Sequence, residues 1–323
     1  MSAPTGTVLS RLPQRIRLNL QAIVGRAYPR VVGANREPSW IFFEAILPLL
    51  GIAAYVFIYQ ALGDRAAAAI VGGMCGDHVC VSATEQAAYL AATKANVNAL
   101  IGSTVLGGTM IAFWLNVLWS MASQLYWEKE IGNLQLYMMA PMSRMALLGG
   151  MALGGMFMTS VRATTTLVTG VLVFSVTLQL TSPALLLAVF FVTLIALYGL
   201  GMMLASLYLL WGREAFNLSA LLEEPIFFAS GFYFPAGGFA RAGALGRAVL
   251  TAATAIPATL GLDAMRQIIF PGAWGGTLWI FSPEVELAVL LVLAVVFLFL
   301  ARRALAYLEN LARREGRLTS RHQ

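Results

Sequence analysis

The chain has 323 residues, of which 59% are hydrophobic and only 11% charged, with a mean hydropathy of +0.77. Soluble domains carry about 25% charged residues, so this composition excludes an ordinary soluble globule, a disordered chain and a coiled coil. It predicts an all-α integral membrane protein. Two histidines, two cysteines and two lysines leave no ligand set for haem, copper, zinc or an iron–sulfur cluster. Neither lysine, Lys94 or Lys129, stands in a G-x-x-x-x-G-K-[ST] loop, so the chain has no phosphate-binding loop of that type. If ATP powers it, ATP binds another polypeptide.

The first element is a basic segment, Ser10 to Arg36. At helical spacing Leu12, Ile16, Leu20, Ile23, Ala27 and Val31 share a stripe, with Arg11, Arg15, Arg26 and Arg30 on the other side. Pro29 predicts a kink or an end. The reading is an amphipathic helix over 10–36, lying at the inner leaflet with arginines at lipid phosphates. The plainer reading is a basic tail.

Apolar runs of about 20 residues follow and predict six transmembrane helices at 40–62, 97–123, 144–178, 183–211, 215–234 and 283–301. The third run contains Arg162, but no Gly, Pro, Asn or Asp flanks it to make a turn, so one long helix is expected there. Residues 242–270 hold an uncharged stretch too short to span and broken by Pro257, which suits re-entrant helices between spans five and six.

Six spans put both termini on one side. The termini, the 124–144 loop and the 211–215 link carry fifteen Lys and Arg residues, against five in the opposite loops. The positive-inside rule makes both termini, and the basic tail 302–323, cytoplasmic. The net charge of +6 is thus a topology signal and not a nucleic-acid footprint.

The loop after the second span runs Gln124 to Arg144 and holds Trp127, Glu128, Lys129 and Glu130. Leu134, Tyr137 and Met138 fall at helical spacing before Pro141. A short helix with exposed apolar and charged faces is a docking element. The bland reading is a loop packed on its neighbours.

In this loop Glu130, Gly132, Leu134, Pro141 and Arg144 stand in the register E-x-G-T-L-E…P-x-x-R, with Asn133 in place of Thr and Gln135 in place of Glu. Here the chain resembles the permease, or membrane subunit, of ABC-2 type exporters. Two later motifs agree: Ser230, Gly231 and Pro235 in S-G-x-x-F-P, and Pro257, Asp263 and Arg266 in P-x-x-x-x-x-D-x-x-R. The resemblance covers nearly the whole chain as a single transmembrane domain. It implies that 127–141 is a coupling helix for a separate ABC ATPase, and that 10–36 is a connecting helix beside it. It further implies outward-side re-entrant helices between the last two spans. Two ATPase subunits would hold the ATP and Mg, and a second permease chain, identical or homologous, would complete the path. The setting is a bacterial-type inner membrane. The function so implied is ATP-driven export of an amphiphilic drug, peptide or lipid.

Charges inside spans are costly, about 2.5–3.5 kcal/mol each on insertion scales, and each needs a reason. Arg162 on span three and Glu223 and Glu224 on span five reach similar depth. One reading is a neutralising pair of Arg162 with one glutamate; the sharper one has the other glutamate face the transport path or a dimer interface. A proton-coupled secondary transporter using Arg162, Glu223 and Glu224 is the alternative from another class. A membrane-embedded enzyme has no clustered reactive groups to support it. Cys75 and Cys80, in the loop after span one, are read as a disulfide, as free thiols, or as a weak metal site with Asp77 and His78.

Overall fold

The structure is a computed structural model that describes residues 13–34, 38–73 and 82–314. Among them every regular element is a helix. In chain order these are α1 (Gln14–Ala34), α2 (Pro38–Gly73), α3 (Ala83–Leu115), α4 (Gln124–Glu130), α5 (Leu134–Met139), α6 (Arg144–Val173), α7 (Pro183–Trp211), α8 (Glu214–Ala229), α9 (Gly243–Ala253), α10 (Pro257–Ile269) and α11 (Pro283–Arg314). A π-helical turn, Asn116–Met121, continues α3 toward α4. Cys75 and Cys80 lie outside the described residues, as do Leu12 and the last nine residues of the tail.

Four stretches are long and apolar enough to cross a membrane: Thr84–Glu130, Arg144–Val173, Pro183–Tyr208 and Pro283–Tyr307. A fifth arises if α9 and α10, bent by 98° at their junction, count together. The faces of these helices explain why. Leu153, Phe157 and Leu172 on α6, Leu187 and Phe191 on α7, and Val292, Val295 and Phe299 on α11 are all exposed. Apolar surface on that scale needs lipid or another protein against it. The molecule is a multi-pass membrane protein.

The other two expected spans are located differently. Residues 40–62 lie within α2, a continuous 36-residue helix. Residues 215–234 correspond to α8, which has 16 residues and stops at Ala229, because Gly231 turns left-handed at φ +68. That is shorter than the roughly 20 residues a straight crossing needs. α6 runs unbroken through Arg162.

Close packing fixes the bundle. Gly107 of α3 touches the Phe232 backbone so closely that a Cβ there would collide with its carbonyl oxygen. Gly261 of α10 presses on Thr193 of α7, and Gly199 of α7 meets Phe297 of α11. The core threads Met110, Phe113, Trp114 and Leu118 between α6 and α7 residues such as Leu148, Met151 and Leu197. α10 is buried along nearly its whole length, Pro257 to Arg266 included.

α1 does not lie apart from the bundle. Asn19 accepts from the Ser143 backbone N–H at 2.8 Å, Gly150 meets Ile23, and Gly154 meets Ala27 and Arg30. The contacts advance together along both chains, so α1 runs alongside the first half of α6 in the same direction. Glycines at 150 and 154 let the two backbones approach. Arg26 and Arg30, expected at lipid phosphates, turn inward instead, together with Ile23 and Ala27 of the predicted stripe. Ile16, Leu20, Val24 and Tyr28 form the exposed side. The cause is electrostatic: a buried carboxylate on α4 needs a countercharge.

Candidate functional site

Two polar assemblies sit at opposite ends of the bundle. The first is an elbow made by α4 and α5. The 127–141 segment, expected as one helix, is two, because Gly132 adopts φ +83 and ends α4 with its N–H bonded to the Lys129 carbonyl. Glu128 is only 5% exposed. It forms an ion pair with Arg26 of α1 and accepts from Asn133 Nδ2 at 3.1 Å. Arg26 also donates to the Tyr137 hydroxyl at 3.2 Å and lies over its ring. Asn133, a departure from the motif, is therefore a working part of this clasp. Leu134 is buried beneath it.

The outer side of the elbow is apolar. Trp127, Ile131, Leu136 and Met139 are each more than half exposed, Met139 the most at 75%. Lys129 and Glu130 are half-buried beside them, and Pro141 and Arg144 stand exposed where α6 begins. Trp127 also meets the Phe216 ring edge-on. Phe216, just past the α7–α8 turn, further contacts Trp119, Tyr126 and Tyr208 with ring centres 5.0–6.3 Å apart. One aromatic knot thus ties the elbow to α7, to α8 and to the π-helical turn.

The intramembrane charges are arranged around that turn. Trp119 Nε1 donates to Glu223 at 2.7 Å. Glu224, on the next position of α8, is exposed along with Asn217, Leu221 and Phe228. Arg162 lies beside Tyr198, whose hydroxyl donates to Asn116 at 2.9 Å. Arg30 reaches Ser120 at 3.3 Å. Among the described residues no ion pair joins Arg162 to Glu223 or Glu224. The π-helical turn packs against both α6 and α8, and its Trp119 is Glu223's partner. Sequence patterns did not single out Asn116, Trp119 or Ser120. A π-turn has no composition signal, although such turns recur at functional positions.

The second assembly, at the far end, joins the two later motifs. After Ser230, the 0%-exposed C-cap of α8, the chain leaves helical geometry at Gly231. The carbonyls that follow are held by side chains. Arg266 donates to Phe232 O at 3.2 Å and Phe234 O at 3.3 Å, and to Ser103 O at 2.9 Å. Thr104 and Tyr59 both donate to Tyr233 O at 3.0 Å. Pro235 starts a short 3-10 turn and Pro257 opens α10. Irregular backbone in a membrane protein persists only where its polar groups find internal partners. Arg266, fully buried, supplies them.

Asp263, one turn before Arg266, is 1% exposed and accepts from the Ile280 N–H at 2.8 Å and from Gln267 Nε2 at 3.1 Å. Glu286 of α11 completes the group, and no sequence motif marked it. Nearby, Asn98 exchanges two 2.9 Å hydrogen bonds with Thr177, and Asn96 accepts from the Trp274 N–H. These line a cleft against Pro271 and Gly272. Among the described residues no group of three or more His, Cys, Asp or Glu side chains forms a metal site.

No family model matches this chain, and no curated protein matches it.

Proposed function

We propose that the chain is the permease subunit of an ATP-driven exporter of the ABC-2 type, moving an amphiphilic substrate and powered by a separate ATPase. The observation that carries this reading is the elbow. Its outer face offers Trp127, Ile131, Leu136 and Met139 for docking, while its inner face is fastened to α1 by Arg26–Glu128 and to α7 and α8 by Phe216. A force on the elbow therefore reaches α1, α3, α6, α7 and α8 together. A surface that is apolar outside and anchored inside suits a transmission element.

In this reading two ATPase subunits, holding ATP and Mg, grip the elbows of two permease chains from the cytoplasm. The excess of basic residues on the elbow side and at both termini supports that orientation, in a bacterial-type inner membrane. α2, α3, α6, α7 and α11 are five crossings, α8 makes the sixth together with the irregular 230–235 stretch that follows it, and α9–α10 is an outward re-entrant pair. The exposed Asn217, Leu221, Glu224 and Phe228 face of α8 lines the path or meets the second permease, since a carboxylate there is costly against lipid. ATP binding draws the ATPases together, tilts the elbow-linked helices and opens the path outward, as a two-state switch. The permease itself performs no covalent step.

Co-expression with a candidate P-loop ATPase, co-purification and substrate-stimulated ATP hydrolysis test the reading. Transport driven by a pH gradient with no ATPase would favour a proton-coupled carrier using Arg162, Glu223 and Glu224 instead.

A further inference from the structure

Asp263 and Glu286 are two acids in one sealed site. Glu286 is 0% exposed, and the two carboxyl groups converge on one amide. The single Gln267 amide serves both, at 3.1 Å to Asp263 and 3.5 Å to Glu286. Backbone donors complete one oxygen on each: Ile280 N–H on Asp263 Oδ2, and Phe281 N–H on Glu286 Oε1 at 3.3 Å. Asp263 Oδ1, fully buried, has no N–H or O–H donor if both groups are ionised.

The charges around the pair can be counted. Arg266, on the same helix, acts on Asp263, and its guanidinium is spent on the Ser103, Phe232 and Phe234 carbonyls. Tyr59 of α2 lies beyond it, acting on Arg266. Toward α7 the contact of α10 is Thr193 against Gly261, and Glu284 on α11 points outward and is exposed. Among the described residues one cation therefore faces two buried carboxyls. Like charges at that distance, out of water, do not both ionise.

We propose that Glu286 is held as a neutral carboxylic acid that donates its proton to Asp263 Oδ1, and that this one proton clamps α10 and the 279–281 segment to the head of α11. The proton supplies the donor that Asp263 Oδ1 lacks and removes the uncompensated charge. The chain thus contains a built proton site away from Glu223 and Glu224. When the proton leaves to solvent, two carboxylates repel across the α10–α11 seam and the clamp opens.

The test uses the full chain in lipid nanodiscs. Infrared difference spectra at neutral pH should show the carbonyl band of a protonated carboxylic acid, and E286Q should abolish it. Gln keeps a donor toward Asp263 without a titrating proton. At neutral pH E286Q should melt close to wild type, because its amide still gives Asp263 a donor. Absence of the band in folded wild-type protein overturns the proposal, as does a band that survives in E286Q. Should E286Q not fold, the wild type alone decides: the folded protein must carry the band at neutral pH, and its absence refutes the clamp.

Discussion

Arg26 of α1 and Glu128 of α4 form an ion pair that joins segments more than a hundred residues apart. Glu128 belongs to the docking elbow, yet it points inward. The pair therefore fastens the N-terminal helix to the elbow, and leaves the elbow's apolar side free.

Removing Arg26 strands a buried carboxylate with Asn133 as its remaining side-chain donor. R26A should lower stability by on the order of 2 kcal/mol, because an uncompensated buried charge costs more than a lost contact. E128Q, which keeps the Asn133 contact, should cost less. Thermal unfolding of both variants and of the double mutant checks this, with the double mutant falling well short of additive.

Trp119→Phe keeps the ring and deletes the donor to Glu223. The loss should be about 1–3 kcal/mol, the penalty of an unsatisfied acceptor away from water. W119F combined with E223L should recover part of it. Equal losses in W119F and W119F/E223L would show that the hydrogen bond carries no weight.

Gly107→Ala should abolish the folded state, since a methyl group there collides with the Phe232 carbonyl that Arg266 holds. Gly149→Ala, on α6 with open space around it, should be tolerated and stabilise by up to about 1 kcal/mol through helix propensity. Yield and elution of monodisperse protein separate the two outcomes.

Much of this architecture was legible in the sequence because apolar runs write helices directly. The S-G-x-x-F-P and D-x-x-R motifs, 28 positions apart from Pro235 to Asp263, turned out to meet through Arg266. Their pairing was hidden because it runs from a side chain to backbone carbonyls, which carry no residue code. Arg162 and the glutamates were matched by depth alone. Depth does not report which helix intervenes, and the π-helical turn with Trp119 does so. The inward turn of Arg26 was missed for a related reason. A helical wheel separates polar from apolar faces, but a polar face packs inward when a buried partner such as Glu128 awaits it. Glu286 was overlooked because an acid in a helix's first turn usually serves the helix dipole.

The elbow's outer face should be dispensable for folding and required for docking. Replacing Ile131, Leu136 and Met139 with serine, while keeping Trp127 on Phe216, should leave the unfolding free energy within about 1 kcal/mol of wild type, as for exposed positions in general. The same change should remove partner binding.

The central claim is tested most directly by purifying this chain with a P-loop ATPase co-expressed beside it and measuring ATP hydrolysis in nanodiscs. The account predicts a stable complex whose hydrolysis rises with an amphiphilic substrate and collapses in the three-serine elbow variant. A chain that transports without any bound ATPase, or a complex indifferent to the elbow substitutions, would contradict it.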